Sequence, residues 1–404
     1  MRILFINVIY KSSSTGKIVH DLYTRSREDG HEAAVCYGRG MSIKEPDVYK
    51  FGLDWETYLH ALMTRVTGLT GVWSFFSTRR LLRFIDEYKP DVVNMHEMYS
   101  YFVNTKPVFD YLAKHNIPVV YTFHCEDAYT GKCGYAFECE RWKTGCGKCP
   151  HLRDYPKSLL FDFTRWMHQL KRKQWENLHK IMITTPSQWL ANRVKESFLG
   201  NRRICAIHNG IDTTNIFYPH NTEDLRAELG LKNEKIVLTV APGLMTSRKG
   251  GKWVVKLAQR MKDENIKFIM VGIDNLNETF PENVIPMGKV MDQQRLATLY
   301  TLADCFVICS EKETFSMTCA ESLCCGTPVA GFCSGAPETV FMPPYARFAP
   351  YGDLEALENY VKMQLNAGYD RVKLAKNMQD LYSRDNMYRQ YMETYEEMIG
   401  EVSR

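Results

Sequence analysis

Short apolar runs alternate with longer amphipathic segments along the chain. A short continuous apolar run is typical of a strand buried on both faces, and a longer segment with one apolar face is typical of a helix. The predicted strands are Ile3–Val8, Ala33–Tyr37, Val92–Met95, Val119–Phe123, Ile181–Thr184, Ile204–Ile207, Ile236–Val240, Phe268–Val271, Asp304–Ile308 and Pro328–Gly331. The predicted helices include Gly16–Arg27, Arg79–Tyr88, Phe161–Leu178, Ser187–Ser197, Gly251–Met261, Gln293–Leu302 and Ser316–Cys325. This alternation predicts parallel sheets with helices on both faces.

The strands fall into two groups, which predicts two doubly wound, Rossmann-like α/β domains facing a cleft. A chain of 404 residues is also too long for one ordinary core. We expect an N-terminal domain at residues 1–215, a C-terminal domain at residues 216–380, and a helix at residues 381–404 that packs back on the N-terminal domain. Ligands of such sheets bind at the carboxyl ends of the strands, so the loops that follow the strands should hold the site residues.

The composition describes a folded chain with a weak positive charge. Hydrophobic residues make up 45% and charged residues 24%, which excludes a disordered chain. The net charge of +4 suits anionic small molecules or an acidic membrane surface, and it is too small to predict nucleic-acid binding. Thirteen cysteines without a recognisable signal peptide predict a reducing compartment, so we expect a cytoplasmic protein.

Two glutamates, Glu313 and Glu321, mark the first candidate site. Glu313 follows the strand Asp304–Ile308, and Glu321 lies inside the next predicted helix. The backbone N–H groups at the start of that helix form an anion site suited to a pyrophosphate. Eight residues of helix span roughly 12 Å, more than the roughly 5–9.5 Å that separates a glycosidase carboxylate pair. The spacing therefore favours two separate roles, with a capping glutamate plus a helix-surface glutamate as the alternative.

The segment from Ser310 to Val329 closely resembles the E-x7-E segment of glycosyltransferase family 4, whose members have the GT-B fold. The resemblance spans nearly the whole chain. It implies that Glu321 binds the ribose of a nucleotide-sugar donor. It also implies that Glu313 acts at the donor sugar, together with the backbone of Thr314, Phe315 and Ser316.

A second loop, Ala241–Gly250, carries the adjacent basic residues Arg248 and Lys249. Two cations beside a helix start predict a clamp for a diphosphate, although a solvated basic loop has the same composition. The family resemblance implies that Lys249 stabilises the leaving diphosphate, together with an arginine near the position of Gly243. This chain has no arginine there, and Arg248 is the candidate to replace it.

Two histidines and a glycine are the candidates in the N-terminal domain. Gly16 lies between the first strand and the first helix, where the backbone can approach a phosphate. His124 and His96 each follow a predicted strand, and for both the alternative is an ordinary core or surface histidine. The resemblance implies that the Gly16 loop lines the donor side and that His124 points at the reacting sugar. His96 is a candidate on the acceptor side.

A cysteine-rich insert near residues 125–155 is a candidate metal site. Four thiols with a closing Cys-x2-Cys pair suit a structural Zn²⁺ ion, and reduced buried cysteines or a disulfide pair are the alternatives. A similar insert occurs in the subgroup that resembles colanic-acid and capsular glycosyltransferases. The four residues are Cys133, Cys139, Cys146 and Cys149.

These features and the resemblance together predict a retaining, metal-independent hexosyltransferase. It would move a sugar from a UDP- or GDP-sugar to a saccharide or lipid-linked acceptor in the synthesis of capsule or another cell-surface polysaccharide. Fixed N–H groups, Lys249 and Arg248 would stabilise the charge of the leaving diphosphate, so no catalytic cofactor is expected. The alternatives are a nucleotide-sugar 2-epimerase on the same scaffold and a zinc-stapled binding module.

One apolar segment bears on membranes. The stretch Leu59–Phe76 is rich in leucines and aromatic residues, and Arg79 and Arg80 follow it. Such a segment can rest on a bilayer at the inner face of a membrane, which would suit a lipid-linked acceptor. Packing of these side chains in the core is the interpretation that the pattern favours.

Overall fold

The computed structural model describes residues 1–400, and these divide into two compact units. Unit 1 contains Met1–His208 and the described residues from Tyr388 on, and unit 2 contains Asn209–Met387. The last four residues of the predicted helix at 381–404 lie outside the described part of the chain.

The division between the units falls seven residues before the expected boundary at residue 215. Residues 209–215 join unit 2 because Ile211 forms a parallel bridge with Ser383. The N–H of Ile211 also donates to the carbonyl of Tyr382 at 2.9 Å. The first and last segments of unit 2 therefore lie side by side.

Unit 1 is built on a seven-stranded sheet. Its strands are β1 (Arg2–Asn7), β2 (Glu32–Tyr37), β3 (Val48–Lys50), β4 (Val92–Met95), β5 (Val119–Thr122), β6 (Ile181–Thr185) and β7 (Arg203–Ala206). They pair in parallel in the order β3-β2-β1-β4-β5-β6-β7. The helices are α1 (Ser13–Glu28), α2 (Asp54–Thr67), α3 (Phe75–Tyr88), α4 (Thr105–Lys114), α5 (Thr164–Glu176) and α6 (Gln188–Lys195).

Unit 2 is built on a six-stranded sheet. Its first elements are α7 (Glu223–Glu228), β8 (Lys235–Val240), α8 (Gly251–Arg260), β9 (Ile266–Val271), β10 (Val284–Met287), α9 (Gln293–Leu302) and β11 (Cys305–Ile308). There follow α10 (Met317–Cys324), β12 (Val329–Phe332), α11 (Pro337–Val340), β13 (Ala346–Ala349), α12 (Leu354–Asn366) and α13 (Arg371–Tyr382). The strands pair in parallel in the order β10-β9-β8-β11-β12-β13.

The predicted fold class is confirmed, and all ten predicted strands are present within a residue or two. The prediction missed β3, β10 and β13. Each of the three is an edge strand with half-buried positions, so it lacks the continuous apolar run that identifies a central strand.

Both sheets reverse their strand order at one point. The reversal lies between β1 and β4 in unit 1 and between β8 and β11 in unit 2. Loops that leave such neighbouring strands run to opposite faces of the sheet and open a crevice for ligands. The loops after these four strands are therefore the places to look for a site.

The last helix, α14 (Arg384–Gly400), begins in unit 2 and continues in unit 1. Its later residues Tyr391 and Tyr395 are buried, and the ring of Tyr395 lies 6.5 Å from that of Phe5 on β1. Unit 1 thus includes a C-terminal piece in its own core. Among the described helices, none combines the length and the apolar character needed to cross a bilayer.

Candidate functional site

In unit 2, the loops after β8 and β11 are hydrogen-bonded to each other and closely packed. The N–H of Glu311 donates to the carbonyl of Arg248 at 2.9 Å. Gly250 has φ 73°, and a side chain there would collide with the carbonyl of Cys309, so only glycine fits. These contacts bring the predicted basic loop and the predicted Glu313 loop together at the point where the strand order reverses.

Glu313 and Lys249 form a buried ion pair in this crevice. The ammonium of Lys249 lies 2.6 Å from Oε1 of Glu313, and the guanidinium of Arg248 lies 4.0 Å from the same oxygen. The side chains of Glu313 and Lys249 are only 12% and 15% exposed. Burial alone raises the pKa of Glu313, but the two cations outweigh burial and the pKa is lowered. The carboxylate is therefore ionised at neutral pH.

The segment between Glu313 and α10 forms the capped start of that helix. Ser316 is the N-cap of α10 with φ 83°, and its hydroxyl accepts a hydrogen bond from the N–H of Cys319. Thr314 and Phe315 are buried, and the Phe315 ring packs against Phe341. The ring of Phe315 is therefore part of the core of unit 2, and its predicted backbone contact with the donor stays a prediction.

Glu321 lies on α10 and is 9% exposed. The hydroxyl of Tyr300 on α9 donates to Oε2 of Glu321 at 2.8 Å. A carboxylate accepts up to about four hydrogen bonds, so this bond does not exhaust it. Sequence reasoning missed Tyr300, because the pair joins two helices and leaves no local pattern.

The loop after β8 has no basic side chain at Gly243. Gly243 instead accepts a hydrogen bond from the Thr246 hydroxyl at 2.8 Å through its carbonyl. Arg248 faces the same carboxylate as Lys249. The structure thus places both basic residues of this loop at one acidic partner.

In unit 1, a chain of hydrogen bonds leads to His124. Nε2 of His124 lies 3.0 Å from Nδ1 of His96, and Nε2 of His96 lies 2.9 Å from Oδ1 of Asn94. The Asn94 amide N–H donates to the carbonyl of Val120, which orients Oδ1 toward His96. His96 must then donate through Nε2 and accept at Nδ1, so His124 donates through Nε2.

Both histidines of this hydrogen-bonded series, His96 and His124, are neutral at neutral pH. Burial lowers the pKa of His124 to about 4, and burial together with the neighbouring His124 lowers that of His96. His96 is completely buried beneath His124, with the two rings stacked at 5.3 Å. Tyr395 of α14 adds a hydrogen bond to Oδ1 of Asn94 at 2.6 Å. Sequence reasoning found neither Asn94 nor Tyr395, which are 301 residues apart.

A half-buried carboxyl, that of Glu97, lies beside this pair. Glu97 follows His96, and burial, with a smaller contribution from Asp127, raises its pKa to about 7. Asp127 accepts a hydrogen bond from Lys171 at 2.9 Å. The carboxyl ends of β4 and β5 therefore hold a group that titrates near neutral pH, which no motif in the sequence indicated.

The loop after β1 is short and tightly held. Gly16 lies in the first turn of α1, and a side chain there would stand 3.2 Å from the backbone of Ile9 and Lys11. Asn7 donates to the carbonyl of Ile9 at 2.8 Å and accepts from the N–H of Glu97 at 3.2 Å. The Gly16 loop and the β4 loop are thus joined through Asn7, as expected at the reversal of strand order.

The four cysteines of the insert line one cavity of about 20 Å³. The thiol of Cys133 donates a hydrogen bond to Cys149, which lowers the pKa of Cys149 to about 6. The N–H of Gly131 donates to the sulfur of Cys146 at 3.2 Å. In their present positions, however, no three His, Cys, Asp or Glu side chains of residues 1–400 form a group that could hold a metal ion.

Two family descriptions match consecutive parts of the chain. Residues 15–215 match Glycosyltransferase Family 4, and residues 221–380 match Glycosyl transferases group 1. This chain is a glycosyltransferase of the family 4 type. Together the matched ranges include every candidate residue named above.

One named protein resembles this glycosyltransferase over nearly its full length, and another resembles it over less than half. WcaC of Escherichia coli strain K12, named for colanic acid biosynthesis glycosyl transfer, is 24% identical over 98% of this chain and 100% of its own. The alpha-galactosylglucosyldiacylglycerol synthase of Streptococcus pneumoniae is 27% identical over 44% of this chain and 50% of its own.

Solved structures share the GT-B fold of this glycosyltransferase. The sucrose-phosphate synthase of Thermosynechococcus elongatus superposes with a TM-score of 0.69 at 16% identity, over 99% of both chains. HepE of Anabaena, in complex with UDP-glucose, superposes with a TM-score of 0.66 at 15% identity, over 98% of this chain and 99% of that one.

Proposed function

We propose that this glycosyltransferase moves a sugar from a nucleoside-diphosphate sugar with retention of anomeric configuration. The observation that carries the proposal is the buried Lys249–Glu313 pair beside the start of α10. A lysine, an arginine and the N–H groups at the start of a helix are donors that stabilise a leaving diphosphate. HepE, a neighbour in fold, binds UDP-glucose, which supports a nucleotide-sugar donor of that class.

In this proposal each side chain of unit 2 has one role. Lys249 and Arg248 stabilise the diphosphate as the glycosidic bond breaks, and Glu313 holds the two cations in place and contacts the sugar. Glu321 accepts hydrogen bonds from the ribose hydroxyls, with Tyr300 fixing its orientation. The acceptor hydroxyl attacks from the leaving-group face, and a departing phosphate oxygen takes its proton. The catalytic charge is thus carried by protein groups, without a metal ion.

In unit 1, we assign His124 to the reacting sugar. The neutral chain Asn94–His96–His124 keeps the imidazole in one tautomer without adding charge. His96 is a positioning residue in this assignment, because it is fully buried and touches His124. Gly16 allows the loop after β1 to approach the donor phosphate.

The acceptor we propose is a saccharide or a lipid-linked saccharide in cell-surface polysaccharide synthesis. The relative WcaC is named for colanic acid biosynthesis, and the second relative is named as a glycosyldiacylglycerol synthase. A cytoplasmic setting, expected from the cysteine-rich composition, stays a prediction.

The insert in unit 1 is proposed to hold a structural Zn²⁺ ion through its four cysteines. All four line one small cavity, and an N–H···S bond to Cys146 suits a thiolate ligand. Ligation requires the thiol side chains to turn further into the cavity, because they do not form a metal-binding group as they stand. The ion would add rigidity to the insert and has no part in the transfer reaction.

Calorimetry tests the donor site directly. A thermal-shift screen of UDP, GDP and ADP sugars selects the nucleotide, and titration then compares the wild type with Glu321→Ala. We expect nucleotide affinity to fall more than tenfold, about 1.4 kcal/mol or more, because the ribose loses a charged acceptor. Glu355→Ala, an exposed glutamate on α12, is the matched control.

Two results would contradict the proposal. Unchanged affinity in Glu321→Ala would remove the ribose role. Release of nucleoside diphosphate and an epimerised sugar from donor alone, without acceptor, would replace glycosyl transfer by the 2-epimerase reaction. Product analysis by NMR would separate retention from inversion.

A further inference from the structure

Helix α2 has the opposite orientation to an ordinary surface helix, because its polar side chains face the interior and its large apolar side chains face solvent. It buries polar side chains, namely Glu56, Thr57, His60 and Thr64. It exposes large apolar ones, namely Trp55, Tyr58, Leu59 and Leu62, which are 54%, 77%, 49% and 55% exposed. A helix that packed by the hydrophobic effect alone would face the other way. The core packing that the sequence favoured for Leu59–Phe76 is therefore wrong for the large side chains of this helix.

The buried polar side chains lock α2 in this orientation. The carboxylate of Glu56 accepts hydrogen bonds from the N–H groups of Phe76 and Ser77 at 2.9 and 2.7 Å, and so caps the start of α3. His60 is hydrogen-bonded to the hydroxyl of Ser74 at 2.7 Å. Turning the helix over would leave these groups unpaired in the interior, and that penalty opposes the hydrophobic preference for the reverse orientation. The same cap presents Phe75 and Phe76 to solvent beside Trp55.

A second apolar segment adjoins α2. The N–H of Leu159 donates to the carbonyl of Arg65 at the end of α2, at 2.8 Å. The segment then exposes Leu159, Leu160, Phe161, Phe163 and Trp166, with Leu160 68% exposed. We call the exposed apolar side chains of residues 55–76 and 155–166 the outward apolar face.

The outward apolar face concentrates the exposed apolar surface of unit 1. Of the 13 large apolar side chains that unit 1 exposes among the described residues, 12 belong to it. Single exposed apolar residues are common on protein surfaces, but a cluster of this kind marks a surface that something covers.

Basic residues border the outward apolar face on both segments. Arg65 lies on the first segment and Arg79 lies three residues after it, Lys157 and Arg165 lie on the second segment, and all four are exposed. Two exposed acidic side chains near the face already have partners. Asp54 pairs with Lys50 at 2.8 Å. Asp162 likewise accepts a hydrogen bond from the N–H of Cys149 at 2.6 Å.

We propose that the outward apolar face is a membrane-docking surface for a bilayer that contains anionic lipids. Tryptophan, tyrosine, phenylalanine and leucine side chains with an arginine and lysine border are the composition of a face that lies in the lipid headgroup region. Anionic headgroups complement the basic border. Since no described helix could cross a bilayer, unit 1 would lie on the surface and insert these side chains.

Membrane binding is tested independently of the proposed function, because the binding of the protein to vesicles is measured without donor or acceptor. Purified full-length protein is mixed with vesicles of phosphatidylcholine, or of equal parts phosphatidylcholine and phosphatidylglycerol, and the bound fraction is measured by flotation. We expect binding to the anionic vesicles, and binding to the neutral vesicles that is weaker by roughly tenfold or more.

Matched variants show whether this face is responsible. The triple variant L62S/F75S/L160S should lose roughly tenfold or more of the partition onto anionic vesicles. The variant L276S/V372S, which alters exposed apolar residues of unit 2, should bind like the wild type. All three positions of the triple variant are exposed, so circular dichroism and thermal unfolding should show an intact fold.

Several outcomes would overturn the proposal. Wild type that stays unbound, or a triple variant that binds as well as the wild type, would do so. A concentration-dependent dimer that the triple variant converts to a monomer, without vesicle binding, would assign the face to a second copy of the chain. Equal binding to neutral and anionic vesicles would remove the role of the basic border.

Discussion

The two units hold their candidate site residues by opposite means. Unit 2 uses charge, because Glu313 is ionised between Lys249 and Arg248. Unit 1 avoids charge, because burial keeps His96 and His124 neutral and raises the pKa of Glu97 to about 7. A crevice with preformed cations suits a diphosphate. The two neutral imidazoles of unit 1 are uncharged hydrogen-bonding groups, which suit an uncharged sugar.

Lys249→Ala should have the largest effect on this contrast. Loss of the cation nearest to Glu313 should lower kcat roughly 100- to 1,000-fold, or about 3–4 kcal/mol, because the leaving diphosphate loses a fixed donor. Steady-state kinetics with the nucleotide sugar found in the screen would measure it. Lys252→Ala, an exposed lysine at the start of α8, is the control and should keep its activity. Equal kcat in the two variants would mean that unit 2 does not use this charge.

Glu97→Gln tests the neutral side of the contrast. The pKa of Glu97 is about 7 in the folded protein and near 4.5 in the unfolded protein. Between pH 4.5 and pH 7, the Glu97 carboxyl is therefore protonated in the folded state and ionised in the unfolded state. The contribution of Glu97 to the free energy of unfolding therefore falls as the pH rises from about 4.5 to 7, by about 3 kcal/mol in total. Glu97→Gln should remove this fall, as measured by chemical denaturation across that range. Exposed Glu176→Gln should keep the wild-type slope, and identical slopes in all three proteins would contradict the burial of Glu97.

The cysteines offer a further contrast between the units. In unit 1 four of them line one cavity, whereas Cys333 of unit 2 is not among the residues that line it. Metal analysis of the purified protein should find about one zinc per chain, lost in Cys146→Ser and retained in Cys333→Ser. Loss of the ion should also lower the thermal midpoint of Cys146→Ser. Purified wild type without zinc would end the metal hypothesis.

Tyr395→Phe should have the smallest effect. It removes one hydrogen bond to Asn94, with an expected loss of about 1 kcal/mol in the free energy of unfolding. Tyr382→Phe removes a bond of similar kind to the carbonyl of Val340 in unit 2, and should cost a similar amount. Only Tyr395→Phe should also lower kcat, because it loosens the chain that orients His124. Equal kcat in both variants would make Asn94 purely structural.

The central strands and the chemistry at their ends were predictable from the sequence. Continuous apolar runs identified every central strand, and the polar residue after each run lies at the carboxyl edge of a sheet. That is why Glu313, Lys249 and His124 could be named in advance. The family resemblance then supplied roles that spacing alone left open.

The partners of these residues could not be predicted, because they come from distant parts of the chain. Asn94 meets Tyr395 and Glu321 meets Tyr300 only after the sheet and helices have assembled. The orientation of α2 was missed for a different reason. Apolar periodicity predicts which side chains share a face, but it assumes that this face turns inward, and buried Glu56 reverses the choice.

Helix α14 also has a consequence for synthesis of the protein. Tyr391 and Tyr395 fill the core of unit 1 and bond to Thr122 and Asn94, which lie on the central strands β5 and β4. On the ribosome, residues 1–208 emerge before unit 2, but unit 1 lacks these groups until α14 has also been translated. Unit 2 can therefore complete its fold before unit 1 does. Any transcript truncated before α14 would yield a nascent chain with an open N-terminal core, and chaperones and proteases would act on it at once.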